Sequence, residues 1–148
     1  QARAAALFPE EARLLAWTAL SYFLKGTTLL YAGQEVCATH TPSLFEKEPI
    51  DWHAGRDISA YLAKLAAVKK QLPTEALFHL DTDDAQGIVC ASYTSPSQTA
   101  VGIFPLAGKG GTVAVPLSDG KYSDALNGEE VTVQGGKLTI ADRAVVIL

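Results

Sequence analysis

The sequence predicts an α+β protein in which a helix–strand–helix unit is followed by an antiparallel β-sandwich. Three observations indicate this class. Residues 9–24 and 58–71 carry helical patterns, a short apolar run at 29–32 lies between them, and short β-type runs fill the chain after residue 72. Closely spaced short strands that follow a helical region are typical of an α+β protein with a sandwich.

The first helix is predicted from Pro9 to about Leu24. Proline suits the first helical turn, and the two glutamates that follow favour the positive end of the helix dipole. The run 14–24 is interrupted only by one threonine and one serine, so the helix is apolar nearly all round and needs cover from other protein. Its length excludes a membrane span, which takes about 20 residues, and Gly26 is expected to end it.

The segment 29–32 is predicted to be a strand that is apolar on both faces, as expected for a parallel strand covered on both sides. Polar residues just past the carboxyl end of such a strand often build the functional face of a sheet or barrel. Here those residues are Gly33, Gln34 and Glu35. The alternative is a buried strand followed by an ordinary loop.

Residues 36–55 form a long loop, and loops of this length are often functional. Asp57 then suits the N-cap of a helix over about 58–71, whose apolar side chains form one stripe. Pro73 closes that helix.

Composition changes after Leu72. Residues 1–72 carry seven acidic and eight basic side chains (+1), and residues 73–148 carry nine and four (−5). Three glycines precede this point and nine follow it, so a domain boundary is predicted there. Strands are predicted at 87–93, 100–106, 112–117, 130–133, 137–140 and 144–148. Asn127-Gly128 and Gly135-Gly136 are predicted to form hairpin turns between them, Asn127-Gly128 as a two-residue turn.

Several function classes receive no support from the residues. The net charge is −4, and the Lys and Arg residues are dispersed, so the sequence shows no basic patch that would bind nucleic acid. Cys37 and Cys90 are expected to be free thiols, because two cysteines without a Cys-x-x-Cys spacing form no disulfide framework. The three histidines lack metal-ligand spacing, and no glycine-rich phosphate loop precedes a helix. No cofactor and no metal is therefore expected.

The stretch Gly26-Thr-Thr-Leu-Leu-Tyr-Ala-Gly-Gln-Glu35, with Pro42-Ser-Leu-Phe-Glu-Lys-Glu-Pro-Ile-Asp-Trp52 after it, resembles the last barrel strand and its loop in the α-amylase family of glycoside hydrolases. The string 119–128 resembles the C-terminal domain of that family. The resemblance implies that residues 1–72 are the end of a catalytic (β/α)8 barrel and that 73–148 are an all-β C-terminal domain. An eight-stranded barrel needs about 250 residues, so the chain is expected to be a piece of a longer protein.

The resemblance also implies a reaction, namely retaining hydrolysis or transfer at the α-glucosidic bonds of α-glucans. The family's catalytic acids come from barrel strands four, five and seven, and Gln1-Ala2-Arg3 resembles the residues that follow the last of them. No catalytic residue is therefore expected in this chain, which should be inactive alone. A substitute pair drawn from Glu35, Glu46, Glu48 and Asp51 is disfavoured because all four lie in one loop.

Arg3, Gln34 and Glu35 are the candidate substrate-binding residues. The alternatives are that Gln34 and Glu35 fix the loop and that Arg3 pairs with an acid. Phe45 and Trp52 could stack on a sugar ring, although burial against the barrel shell is favoured.

A rival function is a non-catalytic β-sandwich module that binds carbohydrate or a partner protein. The few aromatic residues after residue 73 argue instead for a structural domain. The expected partners are an α-glucan substrate and the missing N-terminal barrel. Self-association is also expected, because the apolar side chains of the first helix and of 29–31 lack barrel neighbours, whereas 73–148 is expected to close its own core.

Overall fold

The computed structural model describes residues 2–148 as a layer of helices packed on two four-stranded sheets. The helical elements are α1 (Ala4–Leu7), α2 (Glu11–Phe23), a 3-10 turn (Gln34–Val36) and α3 (Ser59–Lys69). The strands are β1 (Leu77–Asp83), β2 (Ile88–Thr94), β3 (Thr99–Pro105), β4 (Gly111–Ala114), β5 (Gly120–Ser123), β6 (Glu130–Gln134), β7 (Lys137–Ile140) and β8 (Val145–Ile147). The predicted α+β class with antiparallel sheets is confirmed.

Sheet A has the strand order β1-β2-β3-β8, sheet B has β4-β7-β6-β5, and every pairing is antiparallel. Alternate side chains of sheet A face the helices, where Val89, Ala91, Tyr93, Phe104 and Val146 join the core formed with α2 and α3. The other side chains face sheet B, where they pack on strands β4, β6 and β7. Sheet A is therefore a middle layer, and its strands β2, β3 and β8 are buried on both faces, whereas β1 is mostly exposed.

Helix α2 lies on sheet A, and this corrects the expectation that its apolar residues lack cover within the chain. Leu14 and Leu20 are each 7% exposed and Phe23 is 2% exposed. The Phe23 ring lies 5.4 Å from the ring centroids of Tyr93 and Phe104, and the Tyr93 hydroxyl donates a hydrogen bond of 2.8 Å to the Phe23 carbonyl. The sandwich supplies this cover because the outer side of its first sheet is apolar.

The predicted strand at 29–32 is not present in the structure, and this is a second correction. A strand is stabilised by hydrogen bonds to a neighbouring strand, and no segment within residues 2–148 pairs with these residues. Leu29 is 85% exposed and Tyr31 is 55% exposed. The barrel part of the predicted fold is therefore not evident in this chain.

Of the two predicted hairpin turns, one is confirmed and the other is corrected. Gly135 and Gly136 have φ values of 62° and 67° and join the paired residues Gln134 and Lys137, as a two-residue turn requires. In contrast, Asn127 does not take a positive φ, and the loop between β5 and β6 covers residues 124–129. The Gly128 amide donates to the Asp124 carbonyl at 2.7 Å, which closes this longer loop.

Helix α3 begins one residue after and ends two residues before its predicted bounds, and its N-cap is Ile58 instead of the predicted Asp57. The Asp57 carboxylate accepts a hydrogen bond of 2.8 Å from the Ser59 amide at the start of the helix. Hydrogen bonds from the side chain and the backbone of Ser59 hold the pKa of Asp57 below its usual value. Cys37 and Cys90 are both free, as predicted. None of the helices found within residues 2–148 is long and apolar enough to cross a membrane.

Candidate functional site

A cleft of about 790 Å³ lies between α1, α2, the segment 29–31 and the loop that follows it. Its wall is mostly apolar and includes Leu14, Leu29 and Leu44. Arg3 and Gln34 also line it, so the structure brings together two of the three predicted substrate-binding residues. We call it the Arg3 cleft. A mostly apolar wall with few polar groups suits either a ligand or another part of a protein.

The guanidinium group of Arg3 joins the N-terminal segment to the loop. Its Nη1 donates to the Ala32 carbonyl at 2.9 Å, and its Nε donates to the His40 carbonyl at 2.5 Å. The guanidinium carbon lies 4.9 Å from the centroid of the Tyr31 ring, which is the geometry of a cation–π contact. Arg3 thus binds backbone carbonyls, and no acid pairs with it among residues 2–148.

Gln34 and Glu35 lie in the 3-10 turn and hydrogen-bond to their own loop. Glu35 Oε2 accepts a hydrogen bond of 2.8 Å from the Gly33 amide, and the Glu35 carbonyl accepts one of 2.8 Å from the Ile58 amide. Gln34 Oε1 accepts a longer one of 3.4 Å from the Tyr31 amide. Glu35 is not part of the wall of the Arg3 cleft. The contacts of both side chains favour a loop-fixing role.

Gly33 shows why the chain turns sharply at this point. Its φ is 89°, a conformation that side chains rarely adopt. A Cβ atom there would lie 3.1 Å from Ile50 Cγ2 and 3.3 Å from Arg3 Nη1. The glycine therefore allows Arg3 to approach the backbone of the loop.

The loop after the turn presents two apolar side chains at its tip. Leu44 is 91% exposed and Phe45 is 93% exposed. Ser43 Oγ accepts hydrogen bonds of 3.1 Å from the amides of Phe45 and Glu46, and Glu48 Oε2 accepts one of 2.9 Å from the Ser43 amide. The tip is thus held in a defined turn, and the burial expected for Phe45 is not provided by the described residues.

Three of the four acids near this loop are held by hydrogen bonds within it. Glu48 bonds to His40 at 2.9 Å, and this bond, together with that from the Ser43 amide, holds the pKa of Glu48 below its usual value. Asp51 accepts a hydrogen bond of 2.9 Å from the His53 amide, and Glu35 binds Gly33. A general acid needs the opposite, a raised pKa.

Neither thiol is activated for nucleophilic chemistry. Burial raises the pKa of Cys37, and the nearby charge of Asp57 adds to this. Burial also raises the pKa of Cys90 to about 11. Reactive cysteines have a lowered pKa, so both thiols fit packing roles. No group of three or more potential metal ligands occurs within residues 2–148.

Sequence reasoning missed two features of the cleft. No element was predicted before Pro9, yet Ala4 and Ala5 of α1 line the cavity. Thr41 and Pro42 line it as well, although they lie far from Arg3 along the chain. A short alanine-rich segment gives no periodic signal, and contacts between distant loop residues cannot be read from local patterns.

Comparisons with known proteins agree with the two-sheet architecture. Residues 79–147 match the family model described as the bacterial α-amylase C-terminal domain. An α-amylase structure from Lactobacillus plantarum superposes with a TM-score of 0.88 and 30% identity, over 99% of this chain and 35% of that one. No curated protein sequence matches the chain.

Two more distant structures show the same fold. A maltogenic α-amylase from Thermotoga neapolitana has a TM-score of 0.77 at 16% identity, over 99% of this chain and 38% of that one. An α-amylase from Geobacillus thermoleovorans, complexed with acarbose, has a TM-score of 0.74 at 18% identity, over 93% of this chain and 33% of that one. The chain therefore spans about a third of the length of these enzymes.

Proposed function

We propose that the chain is the C-terminal part of an α-amylase-type glycoside hydrolase, because residues 79–147 match the family model described as the bacterial α-amylase C-terminal domain. The complete enzyme would hydrolyse or transfer α-glucosidic bonds of α-glucans with retention of configuration. The observation that carries this proposal is the superposition of nearly the whole chain, not only its β-domain, on one third of an α-amylase.

The exposed apolar surface supports the proposal that more protein covers the helical side. Leu29, Tyr31 and Leu44 line the Arg3 cleft and are 85%, 55% and 91% exposed. Burying one large apolar side chain contributes roughly 1.5–3 kcal/mol. The N-terminal barrel of the complete enzyme is the proposed cover, and self-association of the chain through this surface is proposed when the barrel is absent.

Within the complete enzyme, we assign Arg3, Gln34 and Glu35 to the rim of the substrate site. The hydrogen bonds from Arg3 to the carbonyls of Ala32 and His40 favour a role in holding the loop rather than in touching the sugar.

The domain boundary between residues 72 and 73 remains a prediction.

The rival carbohydrate-binding module gains no support from the sandwich. The outward face of sheet B carries Thr112, Thr132 and Thr139, with Lys121 at its edge, all of them exposed. Thr112 and Thr139 hydroxyls lie 2.7 Å apart. Aromatic rings stack well on apolar faces, and none of the exposed side chains on this face is aromatic within the described residues.

The chain by itself is expected to be inactive on α-glucans. Retaining hydrolysis needs two carboxyl groups about 5 Å apart, and Glu35, Glu48 and Asp51 are engaged in their own loop. Release of reducing sugar from starch and maltooligosaccharides measures this. Activity that survives repurification would refute the inactivity.

A chimera tests the family assignment separately. The last third of the L. plantarum α-amylase is replaced by this chain, and the matched control is the same enzyme truncated without a replacement. The chimera is expected to be soluble and active on starch, while the truncated enzyme loses activity. A folded chimera without activity would count against the proposed function.

A further inference from the structure

At two of the sheet edges, groups from elsewhere in the chain form the hydrogen bonds that a further strand would form. On the outer side of β4, Gln86 Oε1 accepts a hydrogen bond of 3.0 Å from the Thr112 amide, and Gln86 Nε2 donates one of 2.9 Å to the Thr112 carbonyl. On the outer side of β8, the Val146 amide donates to Asp124 Oδ1 at 3.0 Å, and the Val146 carbonyl accepts from the Ala125 amide at 2.7 Å.

Strand β1 is the remaining edge of sheet A, and no such closure is found on it among residues 2–148. It pairs with β2 along all seven of its residues. In an antiparallel edge strand, alternate residues turn their N–H and C=O groups outward, where another strand can bind them. Leu77 is 76% exposed and Leu80 is 38% exposed, so part of the apolar surface of this strand lacks cover too.

The side chains of β1 are complementary to a second, antiparallel copy of the same strand. With a two-fold axis through Leu80, His79 of each copy would lie opposite Asp81 of the other copy. The dimer would therefore contain two such pairs, both on one face of the sheet. The exposed Leu80 side chains would meet at the axis on the opposite face. Within one chain, His79 Nε2 already lies 3.0 Å from Asp81 Oδ2, so the two groups are close enough to form a cluster. Opposite-charge pairs across strands favour pairing, and like charges oppose it.

We propose that two copies of this chain associate through β1, antiparallel about Leu80, to form a continuous sheet. The surface is separate from the Arg3 cleft, because no residue of β1 is part of the cleft wall. A seven-residue edge is small compared with stable interfaces of about 1,200–2,000 Å². The dimer is therefore weak and depends on concentration, and the association is isologous.

Sedimentation equilibrium over a range of concentrations tests the proposal with two charge variants. Both are made in the Leu29→Asp chain, because this substitution weakens association through the Arg3 cleft and leaves β1 unchanged. His79→Glu places two acids opposite each other in the dimer, and Asp81→Lys places a lysine opposite His79. Each variant alone is expected to shift toward the monomer. An equal mixture of the two is expected to dimerise again. In the mixed dimer the introduced glutamate of one chain faces the introduced lysine of the other, and the natural Asp81 faces the natural His79.

Matched controls make the same chemical changes away from the strand, as His53→Glu and Asp142→Lys, both at exposed positions. They should associate like the Leu29→Asp chain itself, and far-ultraviolet circular dichroism should show that all variants are folded. A monomer at every concentration overturns the proposal. So does a dimer that ignores both β1 variants, a mixture that fails to recover, or a dimer that dissociates with Leu29→Asp alone.

Discussion

At the scale of single residues, Asp124 is the most deeply buried of the buried polar residues in the described chain. It is 1% exposed, and its Oδ1 accepts hydrogen bonds of 3.0 Å from the amides of both Leu126 and Val146. Its Oδ2 is buried without a partner among residues 2–148. Burial raises the pKa of Asp124 and outweighs the lowering by those two amides and by the charge of Arg143. Asp124 therefore secures the β8 edge while carrying a cost of desolvation.

The raised pKa of Asp124 predicts a pH-dependent stability. An acid with a raised folded pKa contributes most below its ordinary pKa of about 3.9, and that contribution is lost as the pH rises through the folded pKa. Asp124→Asn keeps one acceptor oxygen and removes the charge. The free energy of unfolding of the natural chain should therefore decrease relative to Asp124→Asn as the pH rises from acid to neutral.

Urea unfolding across this pH range measures the difference. Asp124→Ala serves as the comparison, because it leaves the Leu126 and Val146 amides without their acceptor, at a cost of about 1–3 kcal/mol for each buried group. A difference between the natural chain and Asp124→Asn that does not change with pH would contradict the assignment.

At the scale of elements, Lys69 ties α3 to the end of α2. Its Nζ donates hydrogen bonds of 2.8 Å and 2.9 Å to the carbonyls of Tyr22 and Leu24. The last carbonyls of a helix have no partner within the helix, so the ammonium group caps them and also favours the negative end of the dipole. Burial lowers the pKa of Lys69.

Replacing this ammonium group should separate the two helix ends. Lys69→Met keeps the length of the side chain and removes the donors, so the expected loss is about 1–3 kcal/mol of unfolding free energy. Lys64→Met, at an exposed position of the same helix, is the matched control and should cost little. Equal losses in the two variants would show that packing, not capping, explains the effect.

The helices could be predicted from the sequence because each has its own periodic pattern. Helix α2 begins and ends within two residues of its prediction, and so does α3. Strands β1 and β5 were missed for a physical reason. Four of the seven residues of β1 are polar, and β5 begins at Gly120, a residue type that is depleted in strands. Partner strands stabilise both, and a single-strand pattern does not reveal its partners.

The Arg3 cleft could be predicted only in part. The resemblance placed Arg3 and Gln34 near one functional region, and the structure puts both on one wall. It did not indicate that Arg3 would bind two backbone carbonyls, because backbone acceptors carry no sequence signal. Tertiary contacts between segments distant in sequence decided these details.

At the scale of the whole molecule, the middle position of sheet A links the two predicted domains. Its helix-facing residues Val89, Tyr93, Phe104 and Val146 are covered by α2 and α3, so residues 73–148 do not close their core alone. Losing the cover of a single large apolar side chain costs roughly 1.5–3 kcal/mol. This packing argues against the expected independence of the β-domain.

Deleting residues 1–72 should therefore destabilise the sandwich. The fragment 73–148 is expected to unfold at lower denaturant concentration than the full chain and to bind a dye that reports exposed apolar surface. A full chain cleaved only in the exposed loop between Val36 and Gly55, with both pieces retained, is the control. A fragment as stable as the full chain and silent toward the dye would support an independent β-domain.

The position of β8 has a consequence for synthesis of the protein. This strand follows every other element in chain order, yet it lies beside β3 and supplies Val146 to both the helix-side core and the Asp124 hydrogen bonds. On the ribosome, β3 emerges long before β8. Val101 and Ile103 therefore lack their partner strand until β8 is synthesised. A nascent chain of this kind exposes an apolar sheet edge until β8 has emerged, which makes it a substrate for chaperones that bind such edges.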